Sequence, residues 1–453
     1  MKNYSMQPAT VESFITYLKN LFQITEDDIK EIVRDFHFEM LKGLSGYEST
    51  LKMIPAFVDR PTGKEVGKFI ALDLGGTNFR VLAVELDGKS SAKVIAVNKY
   101  VVSKDEMEGT GEQLFGFIAR CIKEFMDEHG FSTSKKTDIA FTFSFPVDQS
   151  NIAAGTLISW TKGFSAKNVV GHDIVVCMNE ALLKEGVKNV KIAALVNDTV
   201  GTLIAKSYTD TDCDVGVILG TGTNACYPEK MVNIKKWRGM SPKNTMIINT
   251  EWGNFDKIRV TSYDKILDKE SPNQGKQKYE KQTSGMYLGE LFRLILIDLM
   301  NRDILFPGSS LGGLAERGAV KTEDMSMIEA DFSPNLEKIS DFLKKFGLDD
   351  FELSSCVTIK MISRLLSARS AKLAAAGIIA LVTWLDPELK DKHTIGIDGT
   401  LYEKFPEYKT RMEEIFQLIF KNKAKNIKLD LSKDGSGKGA AITAAIAASY
   451  EKV

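Results

Sequence analysis

Apolar residues recur every three to four positions through the first ~55 residues. Phe14, Ile15, Leu18, Leu21 and Phe22 make one stripe, and Ile29, Ile32, Val33 and Phe36 a second, the spacing of helices that bury one face. From Lys68 the period changes. Short runs rich in branched and aromatic residues follow (FIALDL, RVLAVEL, DIAFTFSFPV, KIAALVND, DVGVILG and HTIGIDG), and helical stretches alternate with them. That alternation predicts an α/β fold. Two long helices are expected in the second half, over residues 286–300 and 361–384, the second Ala-rich. Residues 264–281 are polar and carry Pro272 and Gly275, so the pattern predicts a solvated loop there.

A chain of 453 residues exceeds what one core holds, so two domains around a cleft are expected. With 43% apolar and 26% charged residues and a net charge of −1, there is no electrostatic case for nucleic acid or an anionic membrane, and the partners should be small molecules. The longest apolar run, 373–385, is too short to cross a bilayer, and the first 46 residues lack an apolar signal core, so a cytoplasmic protein without a membrane anchor is expected. Five cysteines without CxxC spacing fit free thiols in a reducing compartment. Four scattered histidines offer neither metal-ligand spacing nor a serine partner, so any general base should be a carboxylate. Composition leaves monomer and homodimer both open.

Chemistry enters at residues 69–86, FIALDLGGTNFRVLAVEL, which read as a β-hairpin with Gly75, Gly76, Thr77 and Asn78 at its tip. Glycines there let several N–H groups converge on one anion, and Thr77 and Asn78 add side-chain donors. Asp73 precedes the tip, where a carboxylate can hold Mg²⁺ directly or through water. Residues 214–227, DVGVILGTGTNACY, repeat the idea with Gly220, Thr221, Gly222 and Asn224. One such hairpin is weak evidence, whereas two suit a fold of two related halves that share a nucleotide. Neither matches a Walker A loop or GxGxxG. A third cluster, Gly435, Ser436, Gly437, Lys438, Gly439 and Ala440, leads into an Ala-rich helix whose N-terminus attracts anions, and Gly399 and Thr400 follow another strand.

Polyol recognition calls for carboxylates and carboxamides around a pocket. SFPVDQSNIAAGTLISWTKGF, LVNDTVGT, GTGTNACY, INTEWGNF and QKYEKQTSGMYLGELFR place them beside apolar runs. In this order, across residues 69–446, the segments resemble the eukaryotic hexokinase family. The resemblance implies an actin-like (ribonuclease H-like) two-domain fold with a hinged cleft that closes on sugar, residues 1–66 and 203–435 forming the large domain and 67–202 with 436–453 the small one. It also implies phosphoryl transfer from Mg-ATP to the 6-hydroxyl of glucose or a similar hexose, as the first step of glycolysis. Ser144, Phe145, Thr161, Lys162, Asn197, Asp198, Asn224, Glu251, Gln277 and Glu280 match sugar-contacting positions, with Asp198 the base. Residues 73–78, with Leu74 among them, Arg80, Thr221, Gly222, Gly285, Met286, Gly399, Thr400, residues 316–320 and residues 436–440 match the ATP side. Thr223 departs from the Cys that the family usually has there, and residues 316–318 match loosely.

Plainer roles remain open beside these. Asp198 also fits a helix N-cap between KIAALVND and TVGTLIAKSY, Arg80 can pair with a structural acid, and Trp160 and Trp252 read as packing residues. A catalytically silent sugar sensor and an actin-like ATPase are the competing functions. The retained Asp73, Asp198 and both hairpins argue against the first, and the polyol segments against the second.

Overall fold

The two N-terminal stripes form the helices Val11–Phe22 and Glu26–Ser45, each opened by a threonine whose hydroxyl accepts an N–H of the first turn. The structure is a computed structural model and describes residues 10–75, 78–132, 136–238 and 244–450. Among the described residues the strands are β1 (Ile54–Pro55), β2 (Val66–Leu74), β3 (Asn78–Asp87), β4 (Ala92–Val101), β5 (Thr137–Phe143), β6 (Val147–Asn151), β7 (Ala154–Leu157), β8 (Val190–Val196), β9 (Cys213–Leu219), β10 (Thr223–Lys230), β11 (Thr245–Asn249), β12 (His393–Asp398) and β13 (Ile427–Leu431).

Eleven of these strands make two sheets of one plan, and β6 and β7 pair in a separate two-stranded one. The first runs β4-β3-β2-β5-β8 and the second β1-β11-β10-β9-β12-β13. In each, an antiparallel meander of three strands (β2 to β4, β9 to β11) is followed by two parallel strands (β5 and β8, β12 and β13). The two glycine hairpins are the corresponding first turns of the meanders, as the sequence pattern suggests. A helix follows the last strand of each set: Asp198–Thr209 after β8, and Gly435–Tyr450 after β13. Each crosses to the other sheet, Asp198–Thr209 packing on β9 and Gly435–Tyr450 on β2, β5 and β8, and the two helices pack on one another. At their crossing a Cβ on Gly439 would lie 1.9 Å from the Gly201 carbonyl oxygen, so backbone touches backbone there.

Two expectations need correction. Residues 264–281 are not a solvated loop: they carry the helices Ser262–Glu270 and Lys278–Thr283, with Asp264 and Lys281 buried. The charges go inside because they are paired, Asp264 to both terminal nitrogens of Arg369 at 2.9 Å and Lys281 to Asp268 at 2.6 Å. The apolar helix spans Leu353–Leu385, not only 361–384, so by length and composition it is long enough to cross a bilayer; 83% of its most apolar window is buried inside the fold. All five cysteines are free thiols.

Candidate active site

The parallel strands β2, β5 and β8 bring their carboxyl ends to one side of their sheet, where ligand sites form in open α/β folds. Each end turns polar: Asp73 and Leu74 close β2, Ser144 and Phe145 follow β5, and Asn197 and Asp198 follow β8. Between these ends and β10 lies a cavity of about 460 Å³ lined by Ser144, Phe145, Thr161, Lys162, Asn197, Asp198, Asn224, Glu251, Gln277 and Glu280. Every residue expected to meet the sugar is in that set, and Thr221, Gly222 and Met286 reach the same space. Larger hollows of about 740 Å³ around His393 and 850 Å³ around Cys177 lie elsewhere and hold none of these residues.

Asn197, not Asp198, caps the helix. Its side-chain oxygen accepts the Thr199 N–H at 3.0 Å and the Thr199 hydroxyl as well. Asp198 is the first helical residue, its Oδ1 taking the same N–H at 2.9 Å and its Oδ2 standing 3.9 Å from the Lys162 ammonium. Lys162 has φ 55° and lies over the Phe145 ring. Behind it Phe145 meets Trp160 and Phe164 edge to face, Trp160 stacks on Phe164, and Phe143 packs at a tilt against Phe145 and Trp160. The Trp160 indole donates to the Ala166 carbonyl at 2.8 Å, so Trp160 both packs, as expected, and lines the cavity.

The facing wall is a carboxamide and carboxylate relay. Asn224 Nδ2 donates to Asn249 Oδ1 at 2.8 Å and to Glu251 Oε1 at 3.2 Å, and Asn249 Nδ2 donates to the same Glu251 oxygen at 2.9 Å. Asn249, the last residue of β11, was not among the expected site residues; INTEWG signals it only as a carboxamide two positions before Glu251. Glu280 accepts the Thr223 N–H at 3.0 Å. Burial pushes the Glu280 carboxyl up to about 7, the Thr223 N–H opposing it and the charges of Glu251 and Asp198 adding to it. Burial also raises the Glu251 pKa, against a hydrogen bond from Asn249. Thr223 has a use here: its hydroxyl accepts the indole N–H of the fully buried Trp252 at 2.9 Å.

The nucleotide-side residues are more dispersed. Gly76 and Thr77 lie outside the described residues, Gly75 follows β2, and Asn78 opens β3. Asp73 is buried, and its Oδ2 accepts from Arg80 Nε at 3.1 Å and from the Ser436 hydroxyl at 2.9 Å. At the second tip, Gly285 and Met286 donate their N–H groups to the carbonyls of Gly220 and Thr221 at 2.8 and 3.0 Å. Gly399 adopts φ 128°, with its Cα side pressed on the Leu219 carbonyl, and the exposed Thr400 starts a short helix that buries Leu401 and Tyr402. Gly437, Gly439 and Ala440 are not on a phosphate loop: they sit inside the helix Gly435–Tyr450, buried against Leu82 and Gly201, while Ser436 and the half-buried Lys438 occupy its first turn. Residues 316–320 are anchored apart from the cavity, Gly318 N–H to Glu290 and Arg317 to the Glu270 carbonyl. Asp398, at the carboxyl end of β12, was missed by sequence reasoning although IGIDG repeats the acid-at-strand-end pattern of Asp73. Burial pushes its carboxyl up to about 6, with Asp198 and Asp73 adding to the rise.

Family models for hexokinase match residues 15–208 and 214–446. The chain belongs to the hexokinase family. It is 43% identical to a hexokinase of Oryza sativa subsp. japonica over 91% of its own length and 92% of the relative's. It is 40% identical to human hexokinase-1 over 94% of its length, spanning about half (47%) of that longer chain. Among solved structures, a hexokinase of Schistosoma mansoni complexed with glucose superimposes with a TM-score of 0.87 at 37% identity, covering 97% of this chain and all of that one. The paired sheets are thus the two halves of the actin-like sugar kinase fold, and the chain is a hexokinase, a transferase of the ATP-dependent hexose-phosphorylating kind.

Proposed function

We propose that this hexokinase phosphorylates the 6-hydroxyl of glucose, with mannose and fructose as alternative acceptors, as an entry step of glycolysis in the cytoplasm. The observation that carries the reading is the convergence of ten residues from six separate segments on one cavity, with Asp198 on its wall. Carboxylates and carboxamides that both give and take hydrogen bonds suit vicinal hydroxyls, and the aromatic wall of Phe145, Trp160 and Phe164 suits the carbon face of a ring.

In the proposed reaction Asp198 accepts the proton of the 6-hydroxyl as that oxygen bonds to phosphorus. Lys162, Asn224, Glu251 and Glu280 hold the sugar in register. The nucleotide is assigned to the side of Asp73, Gly75, Thr221, Gly285, Ser436 and Asp398. Asp73 and Asp198 lie close enough to Asp398 to raise its proton affinity, an excess of negative charge that a divalent cation fits. Asp73 and Asp398 would hold Mg²⁺ chiefly through water, and when bound it would offset charge building on the phosphates. Segments 67–202 and 436–453 are taken to close as one body against the rest, which removes water that would compete with the sugar.

A coupled ADP-release assay with glucose, mannose, fructose or no sugar tests the reading. Sugar-dependent release with glucose the best acceptor is expected. Release without sugar would point to an ATPase, and glucose-induced thermal stabilisation without release to a silent sensor.

A further inference from the structure

Arg80 stands between two carboxylates. Its Nε and Nη2 both donate to Oδ2 of Asp73, and its Nη1 donates to Oδ1 of Asp434 at 2.7 Å. Ser436 donates to the same Asp73 oxygen and is itself pinned, its carbonyl taking the Thr142 hydroxyl at 3.1 Å. Asp434 immediately precedes the helix Gly435–Tyr450, has φ 55°, and its carbonyl takes the Lys438 N–H at 3.1 Å. Its carboxylate, however, reaches across the fold to a residue 354 positions away in sequence.

We propose that Asp434 is a positioning residue that receives Arg80 when Asp73 turns to a divalent cation. This rests on the proposed placement of Mg-nucleotide beside Asp73. A guanidinium competes with a metal ion, or with the metal's hydration water, for the same carboxylate lone pairs, so a hydrated cation arriving at Oδ2 of Asp73 displaces the two N–H bonds of Arg80. With Asp434 holding Nη1, the guanidinium does not leave: it pivots about that bond, and Nε and Nη2 become donors for phosphate oxygens. The two acids thus divide one cation, and Asp434 lowers the cost of prising Arg80 from Asp73. Asp434 touches neither substrate nor metal in this scheme.

Asp434→Asn separates this role from a backbone one, because asparagine tolerates the left-handed conformation and starts helices as well as aspartate does. The readout is a Mg²⁺ titration of protein saturated with ADP, followed by melting temperature, alongside Mg²⁺ dependence of turnover at saturating glucose and ATP. In Asp434→Asn the half-saturating Mg²⁺ concentration should rise about threefold to tenfold in both, the range of a charge-assisted bond at a partly exposed position. Binding of ADP in the presence of chelator should not weaken in calorimetry, the thermal shift produced by glucose should be unchanged, and Asp434→Glu should restore most of the Mg²⁺ response. Unchanged Mg²⁺ dependence, or metal-free ADP binding weakened by the same factor, would overturn the proposal and leave Asp434 as a shape-keeping residue of the helix start. The melting titration needs no turnover, so it stays distinct from a failure of the kinase reading, which absent sugar-dependent ADP release in the unaltered protein would reveal.

Discussion

The side-chain oxygen of Asn197 accepts the backbone N–H of Thr199 at 3.0 Å, so the helix after β8 is capped by the residue before Asp198. Capping, one of the two roles that the sequence leaves open for Asp198, therefore falls mainly to its neighbour, and the proposed proton-accepting role does not compete with it.

Asp198→Asn tests the base. Asparagine can still accept a hydrogen bond from a hydroxyl but cannot take its proton, and loss of a general base costs about 10²- to 10⁴-fold in rate, roughly 3–5 kcal/mol of barrier. With Asn197 still capping, the melting temperature should stay near that of the unaltered protein, kcat should fall at least about a hundredfold, and glucose binding should remain measurable by calorimetry. A variant that keeps more than about a tenth of the turnover would remove Asp198 from the proton path.

Glu280 predicts a trade between stability and function. Its carboxyl is raised from 4.5 to about 7, so the folded chain holds that proton more tightly than the unfolded one. The associated stability is present below pH ~4.5 and is lost as pH rises through ~7, amounting to about 3 kcal/mol at most. Glu280→Gln should therefore melt higher than the unaltered protein at pH 8, with the difference shrinking toward pH 5, while glucose affinity falls. Equal melting curves across that range would show that the carboxyl is not held neutral.

The sign at His393 is opposite in origin. Burial alone lowers its pKa, but Asp214 at 2.7 Å from Nδ1 and Asp386 at 3.6 Å from Nε2 outweigh burial and raise it above 6.5. The charged ring ties β12 to β9 and to the end of the helix Leu353–Leu385, a contribution of about 1–2 kcal/mol on the scale of hydrogen bonds to charged groups. It is complete below pH ~6.5 and is lost as pH rises through the folded value. Chemical denaturation of His393→Gln should show its largest deficit at pH 6 or below, and a deficit that grows with pH would refute the assignment.

Glycine substitutions at the helix crossing should differ sharply. In Gly439→Ala the new methyl meets the Gly201 carbonyl oxygen at 1.9 Å, and backbone cannot step aside, so about 3 kcal/mol or more should be lost. Gly437→Ala meets the flexible end of Leu82 at 2.9 Å and should cost under ~1.5 kcal/mol. Calorimetric melting of the pair decides; similar losses would mean the crossing yields more than its contacts suggest.

The cavity was legible because its parts are local strings. VND, EWG and WTKGF each end or follow an element, and hairpin tips declare themselves by glycine. Less legible was anything decided by a distant partner. Residues 264–281 look solvated until Arg369, on a helix about a hundred residues later, meets Asp264. Gly437 and Gly439 look like a phosphate loop because glycine serves close anions and close helices alike, and only the position of Gly201 distinguishes the two uses. Asp398 carries the right pattern, yet its neighbours come from the other sheet's side, Asp73 on β2 and Asp198 just past β8.

The helix Gly435–Tyr450 packs Ala440, Ala441, Ala444 and Ala447 into the same cluster as Ala71, Leu82, Ala140 and Ala194 of the first sheet. Synthesis proceeds from the N-terminus, so a nascent chain holds that sheet for more than two hundred residues of translation with one face bare. Until that helix has emerged, the strand ends carrying Asp73 and Thr142 have no Ser436 to meet and an apolar surface open to wrong partners, a window in which chaperone binding, rather than catalysis, is the expected occupation of this half.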